Sequence, residues 1–227
     1  MKRTRALAAM ITVLLALATV AGCGSDVSNL PVKQLLAKAR TQLKTSHYLT
    51  IKGKVTEGKT SVGINLHYVG KDSSGTLDVS GKPIHIETVK GKTYFKPSQA
   101  FWKAELGSGA SRVQQLIKGR WIPAPKNNPQ FVSLTQFGNR EALAKQMLEP
   151  STKKISKGKT KTVNGVDSVA LDSTNGTLYL DTSDASPVQI VGNGTKGTGT
   201  VDFSYDQTPA PKAPKKKDIF DLSKLGG

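Results

Sequence analysis

The sequence predicts an α+β protein in which helices cover the concave face of a single curved antiparallel β-sheet, a half-barrel. Three observations predict it. A helical apolar pattern begins near Leu30; short runs that alternate apolar with polar residues follow at intervals of about ten residues; and this alternation is interrupted between Phe101 and Pro150 before it resumes. Alternation gives each strand one apolar face, which has to be buried against another layer.

The chain opens with the layout of an export signal. Lys2, Arg3 and Arg5 precede an uncharged, mostly apolar run from Ala6 to Ala21, shorter than the ~20 residues of a spanning helix. The run ends in VAGC, whose cysteine is the only one in the chain. This arrangement resembles the bacterial lipobox, which implies cleavage before Cys23 and lipidation of that cysteine. We therefore expect a signal peptide over residues 1–22 and a tether over residues 23–29.

The first element of the mature chain is an amphipathic helix. The spacing predicts it over Leu30–Lys44, with Ser28 or Asn29 as the N-cap and Pro31 in the first turn. Its apolar stripe repeats at helical intervals and consists of Val32, Leu35, Leu36, Ala39 and Leu43.

Short strands follow the helix. Period-two runs separated by Gly, Pro and Asp turns predict an antiparallel meander. Its apolar positions include Leu49, Ile51, Ile64, Leu66, Leu77, Val79, Ile84 and Ile86. After a stretch with many loops and predicted helices over Arg112–Lys118 and Asn139–Leu148, strands return from Val163 to Tyr205. We expect the folded domain to cover residues 30–208. A Pro- and Lys-rich tail, expected to be extended and exposed, covers residues 209–227, where Ile219, Phe220 and Leu222 are candidates to dock back.

The formal net charge is +17. In an exported protein this charge favours anionic lipid headgroups or phosphate-bearing wall polymers as partners rather than nucleic acid. The densest basic run consists of Lys153, Lys154, Lys157, Lys159 and Lys161. These lysines are candidates to contact headgroups, or they form a solvated edge that blocks strand pairing.

The sequence offers no recognisable catalytic or metal motif. The three histidines, His47, His67 and His85, are placed on predicted strands and far apart in sequence. Ser108 lacks the strand-to-helix context of a nucleophile elbow. Asp167, Asp172, Asp181 and Asp202 are spread over strands and turns. We expect no enzyme activity, no metal and no cofactor.

The ordered set of elements resembles the LppX/LprG-type lipoproteins of actinobacteria, whose fold is similar to LolA-like lipoprotein carriers. The phrases that carry the resemblance are VKQLLAKARTQLKTSHYLTIKG, KTYFKP, FWKA, GRWIPAP, VNGVDSVALDSTNGTLYLDTSDASPVQIVG and GTVDFSYDQTPAP. The resemblance implies an apolar cavity that takes the acyl chains of lipids or acylated glycolipids.

Two functions follow as hypotheses. The first is a lipoprotein, anchored outside the cytoplasm by Cys23, that binds or transports lipid without catalysis. The strand residues named above would line its cavity, unless they form a filled core. Trp102 and Trp121 are candidates for the mouth of the cavity, or else pack in a core. The alternative is an envelope scaffold or accessory protein that contacts anionic lipids or wall polymers through its basic surface.

Overall fold

The computed structural model describes residues 26–124, 129–148, 154–194 and 197–221. The signal segment, Cys23, Lys153 and Leu222 lie outside the described residues. The helices are α1 (Val32–Thr45), α2 (Gln99–Leu106), α3 (Ala110–Ile117), α4 (Pro129–Gly138) and α5 (Arg140–Leu148). The strands are β1 (Tyr48–Glu57), β2 (Thr60–Val69), β3 (Asp72–Val79), β4 (Pro83–Val89), β5 (Lys92–Pro97), β6 (Ile122–Pro123), β7 (Ile155–Val163), β8 (Val166–Ser173), β9 (Gly176–Asp181), β10 (Pro187–Asn193) and β11 (Thr198–Ser204).

All the strands belong to one open antiparallel sheet of 11 strands. Its order is β6-β5-β4-β3-β2-β1-β11-β10-β9-β8-β7, so the first and last long strands meet at the centre and β6 and β7 form the edges. In sequence, helices α2 to α5 lie between β5 and β7, and the short strand β6 lies between α3 and α4. The predicted fold class, a single curved antiparallel sheet with helices on one face, is confirmed.

The register places the predicted apolar residues on a common face, here called the inner face. Ile51 lies opposite Leu66 on one side and opposite Phe203 on the other. Leu77 lies opposite both Ile64 and Ile84. Because side chains alternate along each strand, the intervening polar residues fall on the outer face.

Helices α1 and α5 cover part of the inner face. Helix α1 packs against α5, β7 and β10, and its apolar stripe buries Leu35, Ala39 and Leu43. Helix α5 contributes Leu143, Ala144 and Leu148 to the same core cluster. None of the helices within the described residues is long and apolar enough to cross a bilayer.

The helices depart from expectation in two ways. Helix α1 begins at Val32, and no side chain caps it, since Ser28 belongs to a preceding turn in which its N–H donates to Asp26 Oδ1 at 2.8 Å. Helices α2 and α4 occupy stretches where no helix is expected. Ser98 caps α2, because its Oγ accepts from the N–H of Phe101 at 3.2 Å.

The segment from Tyr205 to Asp221, here called the strap, runs from the central strand β11 to the edge strand β6. The N–H of Lys212 donates to Glu87 on β4 at 3.0 Å. Ile219 then forms a parallel bridge with Trp121, and Phe220 is buried against Ile117 and Ile122. The strap therefore covers the β6 edge, which would otherwise present unpaired backbone groups.

Glycines allow neighbouring strands to come unusually close. At Gly75, which has φ of +152°, a Cβ would lie 2.1 Å from the carbonyl oxygen of Asn65. At Gly53 a Cβ would lie 2.1 Å from the carbonyl oxygen of Thr200. No side chain fits at these points, so the bend of the sheet depends on glycine.

We expect Gly75→Ala to lower the free energy of unfolding by about 2–3 kcal/mol, because the methyl group would force two strands apart. The matched control is Gly70→Ala in the β2–β3 turn, where φ is +59° but no atom lies within 4 Å of an added Cβ. The control should cost only about 1 kcal/mol. Urea unfolding of both variants measures the difference, and equal losses would show that close strand approach is unimportant at Gly75.

Candidate functional site

The inner face is apolar across the width of the sheet. Among the sequence-predicted lining residues, Leu49, Ile51, Leu66, Leu77, Ile84 and Ile86 are buried in one core cluster. Ile64 and Val79 lie on the same face but are half-buried. The structure thus brings all eight strand candidates to one face and divides them into a covered group and a partly open group.

The partly open group extends over several strands, and we call it the apolar trough. Val55, Val62 and Val79 lie opposite one another on β1, β2 and β3. Ile64 lies in the next row, which continues across Gly53, Val201 and Ile190 to Leu178. The trough is defined by its half-buried residues Val55, Val62, Ile64, Val79, Leu178 and Ile190.

Glycines take the place of aliphatic residues in one half of the trough. Gly199 lies opposite Val55, and Gly192 and Gly176 follow it on β10 and β9. At these three glycines a Cβ would lie 2.0–2.6 Å from a neighbouring carbonyl oxygen. The row that carries three valines in one half of the sheet therefore carries glycines packed closely against neighbouring backbone in the other half.

The opposite ends of the strands are closed by polar contacts to the α4–α5 corner. The Tyr68 hydroxyl donates to the carbonyl of Phe137, and Ser73 Oγ donates to the carbonyl of Gly138 at 3.0 Å. A Cβ at Gly138 would lie 2.2 Å from Thr88 Oγ1. The corner is thus pinned to β2 and β3 by buried polar side chains, and its glycine is required for the close approach to Thr88 on β4.

Arg140 joins this corner to helix α1. Its guanidinium donates to the backbone carbonyls of Ser46 and Lys44, which lie at the C-terminal end of α1, where cations are favourable. Burial lowers the pKa of Arg140 from its ordinary value. Burial also raises the pKa of Tyr68 above its usual range, so this hydroxyl remains a donor at neutral pH.

Neither tryptophan is among the residues that define the trough. Trp102 packs on a second cluster formed by Ile117, Ile122 and Phe220. Trp121 is half-buried next to this cluster, with Lys96 Nζ 6.0 Å from its ring centroid. Core packing of this second cluster accounts for Trp102.

The basic run partly contacts the protein itself. Lys157 Nζ donates to the carbonyl of Ser28 at 2.6 Å, and Lys161 Nζ lies 4.4 Å from the ring centroid of Tyr179. Lys154 and Lys159 are exposed. These residues lie on or just before β7, an edge strand, where lysines discourage pairing with another sheet.

The candidate acids are engaged by neighbouring donors. Asp167 accepts from Thr162 at 2.9 Å, and Asp172 accepts from Thr177 at 2.7 Å. Two others border a cavity of about 870 Å³. There, Asp181 accepts from Ser183, and Asp202 accepts from Asn164 and Gln189. These carboxylates stabilise turns and strand pairs.

The histidines also have local partners. His67 Nδ1 lies 3.0 Å from Thr50 Oγ1, and His85 Nδ1 lies 2.9 Å from Thr76 Oγ1, both on the outer face. His47 precedes β1 instead of lying on a strand, and its ring packs edge-on against Tyr48. Within the described ranges, no three His, Cys, Asp or Glu residues are grouped so that they could hold a metal ion.

Comparisons with known proteins give distant structural similarities. No protein-family model matches the chain, and no curated protein matches it significantly. LprF from Mycobacterium bovis is 13% identical with a TM-score of 0.47, over 79% of this chain and 95% of LprF. The Mycobacterium tuberculosis lipoprotein LppX is 9% identical with a TM-score of 0.44, over 79% of this chain and all of LppX (100%).

A third similar structure, an uncharacterized conserved protein from Thermus thermophilus, is 7% identical with a TM-score of 0.40, over 82% of this chain and 96% of that protein. LprF and LppX are lipoproteins of the LppX/LprG type, which the sequence resembles. The expected resemblance is therefore found among solved structures. Similarities this distant do not indicate what this chain binds.

We expect Tyr68→Phe to lower the free energy of unfolding by about 1–3 kcal/mol, because the buried carbonyl of Phe137 would lose its donor. Amide exchange in α5 should accelerate more than exchange in β1, since the α4–α5 corner would be released from the sheet. The control is Tyr48→Phe at a half-buried site, expected to change stability by less than about 0.5 kcal/mol. Unchanged exchange in α5 would contradict the pinning role of Tyr68.

Proposed function

We propose that this protein is a non-enzymatic lipoprotein, anchored outside the cytoplasm, that binds or transports lipid by burying acyl chains in the apolar trough. The observation that carries the proposal is the partial exposure of aligned aliphatic residues on the inner face. Folded proteins normally cover the apolar face of a sheet. An uncovered apolar hollow instead favours an apolar ligand.

The chemistry of the trough supports binding over catalysis. All six of its residues are aliphatic, so they offer no acid, base or nucleophile to a bound molecule. An acyl chain needs only apolar contact, and each buried methylene contributes about 0.8 kcal/mol. The proposed ligand class is therefore a lipid or acylated glycolipid, without a covalent step.

The proposed anchor is an acyl group on Cys23. Asp26 is three residues further along the chain, so an extended tether of about 10 Å would separate the bilayer anchor from the first described residue. The described chain then continues into α1 beside β7, where Lys157 contacts Ser28. Such a short tether would keep the folded domain close to the membrane from which lipid is taken or to which it is delivered.

The test is uptake of a fluorescent fatty acid by the chain that starts at Gly24, which contains all the described residues. Ile190→Ser should weaken binding about tenfold, because it replaces an aliphatic wall of the trough by a hydroxyl. The matched control is Val191→Ser, the next residue on β10, which faces the other side of the sheet. It should bind within about twofold of the unchanged chain.

Two outcomes would contradict the proposal. Absence of uptake by the delipidated chain would indicate that the inner face is a filled core, and the envelope-scaffold alternative would then be favoured. Equal losses in the two serine variants would place the ligand elsewhere on the molecule.

A further inference from the structure

We infer that the helical hairpin α2–α3 is a docking surface for an anionic lipid bilayer. This surface, the basic hairpin face, consists of Leu106, Arg112, Leu116, Lys118 and Arg120. It is separate from both the trough and the lysines of β7. The inference goes beyond the proposed function and does not require that the trough bind lipid.

The first observation is the exposure of two leucines. Leu106 is 42% exposed and Leu116 is 44% exposed. Among the described residues, these two are the exposed large hydrophobic side chains. Helix α3 instead buries Ala110 and Ile117. The packing of the hairpin therefore does not depend on burial of Leu116. Exposure of this apolar side chain to solvent does not stabilise the fold.

The second observation is the charge around these leucines. Residues 99–120 contain four cations, including Lys103, and a single carboxylate, Glu105. Arg112 lies one helical turn before Leu116 on the solvent side of α3. A groove of about 940 Å³ next to them is lined by Arg112, Leu116, Lys118, Arg120 and Phe220, with Gln115.

The fold holds one of these cations, Arg120, in place. Arg120 donates to the carbonyls of Leu116 and Ile117 at 2.7 and 2.9 Å, and its guanidinium lies 5.0 Å from the Phe220 ring centroid. The side chains of Arg112 and Lys118 are exposed. Their charge is thus available to an external anion.

The strap brings charges of both signs to the same region, because Lys216 and Lys217 are followed by Asp218 and Asp221. The N–H of Trp121 donates to the carbonyl of Asp218 at 2.8 Å, which brings the exposed Lys216 and Lys217 close to the end of α3. Protruding leucines surrounded by Lys and Arg are typical of segments that insert a few ångströms into an anionic membrane surface. A protein interface would instead favour a contiguous apolar patch.

The hairpin also lies near the open side of the inner face. Ser98 immediately precedes α2, and its N–H donates to the carbonyl of Pro83 at 2.9 Å. Pro83 is the first residue of β4 and follows the turn after Val79. Phe101 of α2 packs against the main core cluster. Docking of the hairpin would therefore bring one end of the trough toward the lipid surface.

The experiment is flotation of the chain that starts at Gly24 with vesicles of phosphatidylcholine containing about one third phosphatidylglycerol, at about 0.1 M salt. Vesicles of phosphatidylcholine alone are the lipid control. We expect binding to the anionic vesicles only. Arg112→Gln with Lys118→Gln should weaken binding by at least about tenfold, and Leu106→Ser with Leu116→Ser by about tenfold.

The matched control is Lys33→Gln with Lys38→Gln, which removes the same charge from exposed positions of α1. It should bind within about twofold of the unchanged chain. All of these side chains are exposed, so thermal unfolding should shift by no more than about 2 °C in each variant.

The inference is overturned if the unchanged chain does not bind anionic vesicles, in which case an acidic protein is the better candidate for this face. It is also overturned if the hairpin variants bind normally, or if the α1 control loses as much binding, which would indicate diffuse charge. Fatty-acid uptake from solution, measured on the same variants without vesicles, should remain unchanged. That readout separates failure of this inference from failure of the proposed function.

Discussion

An apolar face wider than the helices available to cover it is the constraint on which the rest of the structure depends. Eleven antiparallel strands present one continuous inner face, whereas the core cluster draws its fully buried helical side chains from α1 and α5. Burial of aliphatic surface is the main favourable contribution to folding. Beyond the reach of these helices, aliphatic residues of the inner face stay half-buried.

Polar contacts decide which end of the inner face is closed. Tyr68 and Ser73 satisfy the carbonyls of the α4–α5 corner, and Arg140 satisfies carbonyls at the end of α1. Buried carbonyls without donors would destabilise the fold, so these side chains define where the helices sit. At the opposite strand ends the inner face carries glycines and half-buried valines. The closed and open ends thus arise from residues on the same strands.

Much of the fold could be predicted from the sequence because alternation reports directly on which side of a strand a residue lies. All eight predicted strand residues reach the inner face, and the expected helix near Asn139 is α5 with Asn139 as its cap. Helix α4 could not be predicted, because Phe, Val and Thr in its sequence have low helix propensity. Its helical conformation relies on packing against the core, to which Leu134 and Phe137 contribute. The sequence also could not predict which of these strand residues are buried and which are half-buried, because alternation along a strand does not show where a distant helix ends. The strap docks through Phe220, a single aromatic residue in a tail that is otherwise rich in lysine and proline.

The most direct test of the account is nuclear magnetic resonance of the chain from Gly24, with labelled isoleucine methyl groups and a fatty acid that carries a spin label on its acyl chain. The account predicts that the methyl signals of Ile64 and Ile190 broaden as the labelled acid binds. The signal of Ile219 in the strap should remain sharp. Broadening at Ile219 without change at Ile64 and Ile190, or no broadening at any isoleucine, would contradict acyl-chain binding on the inner face.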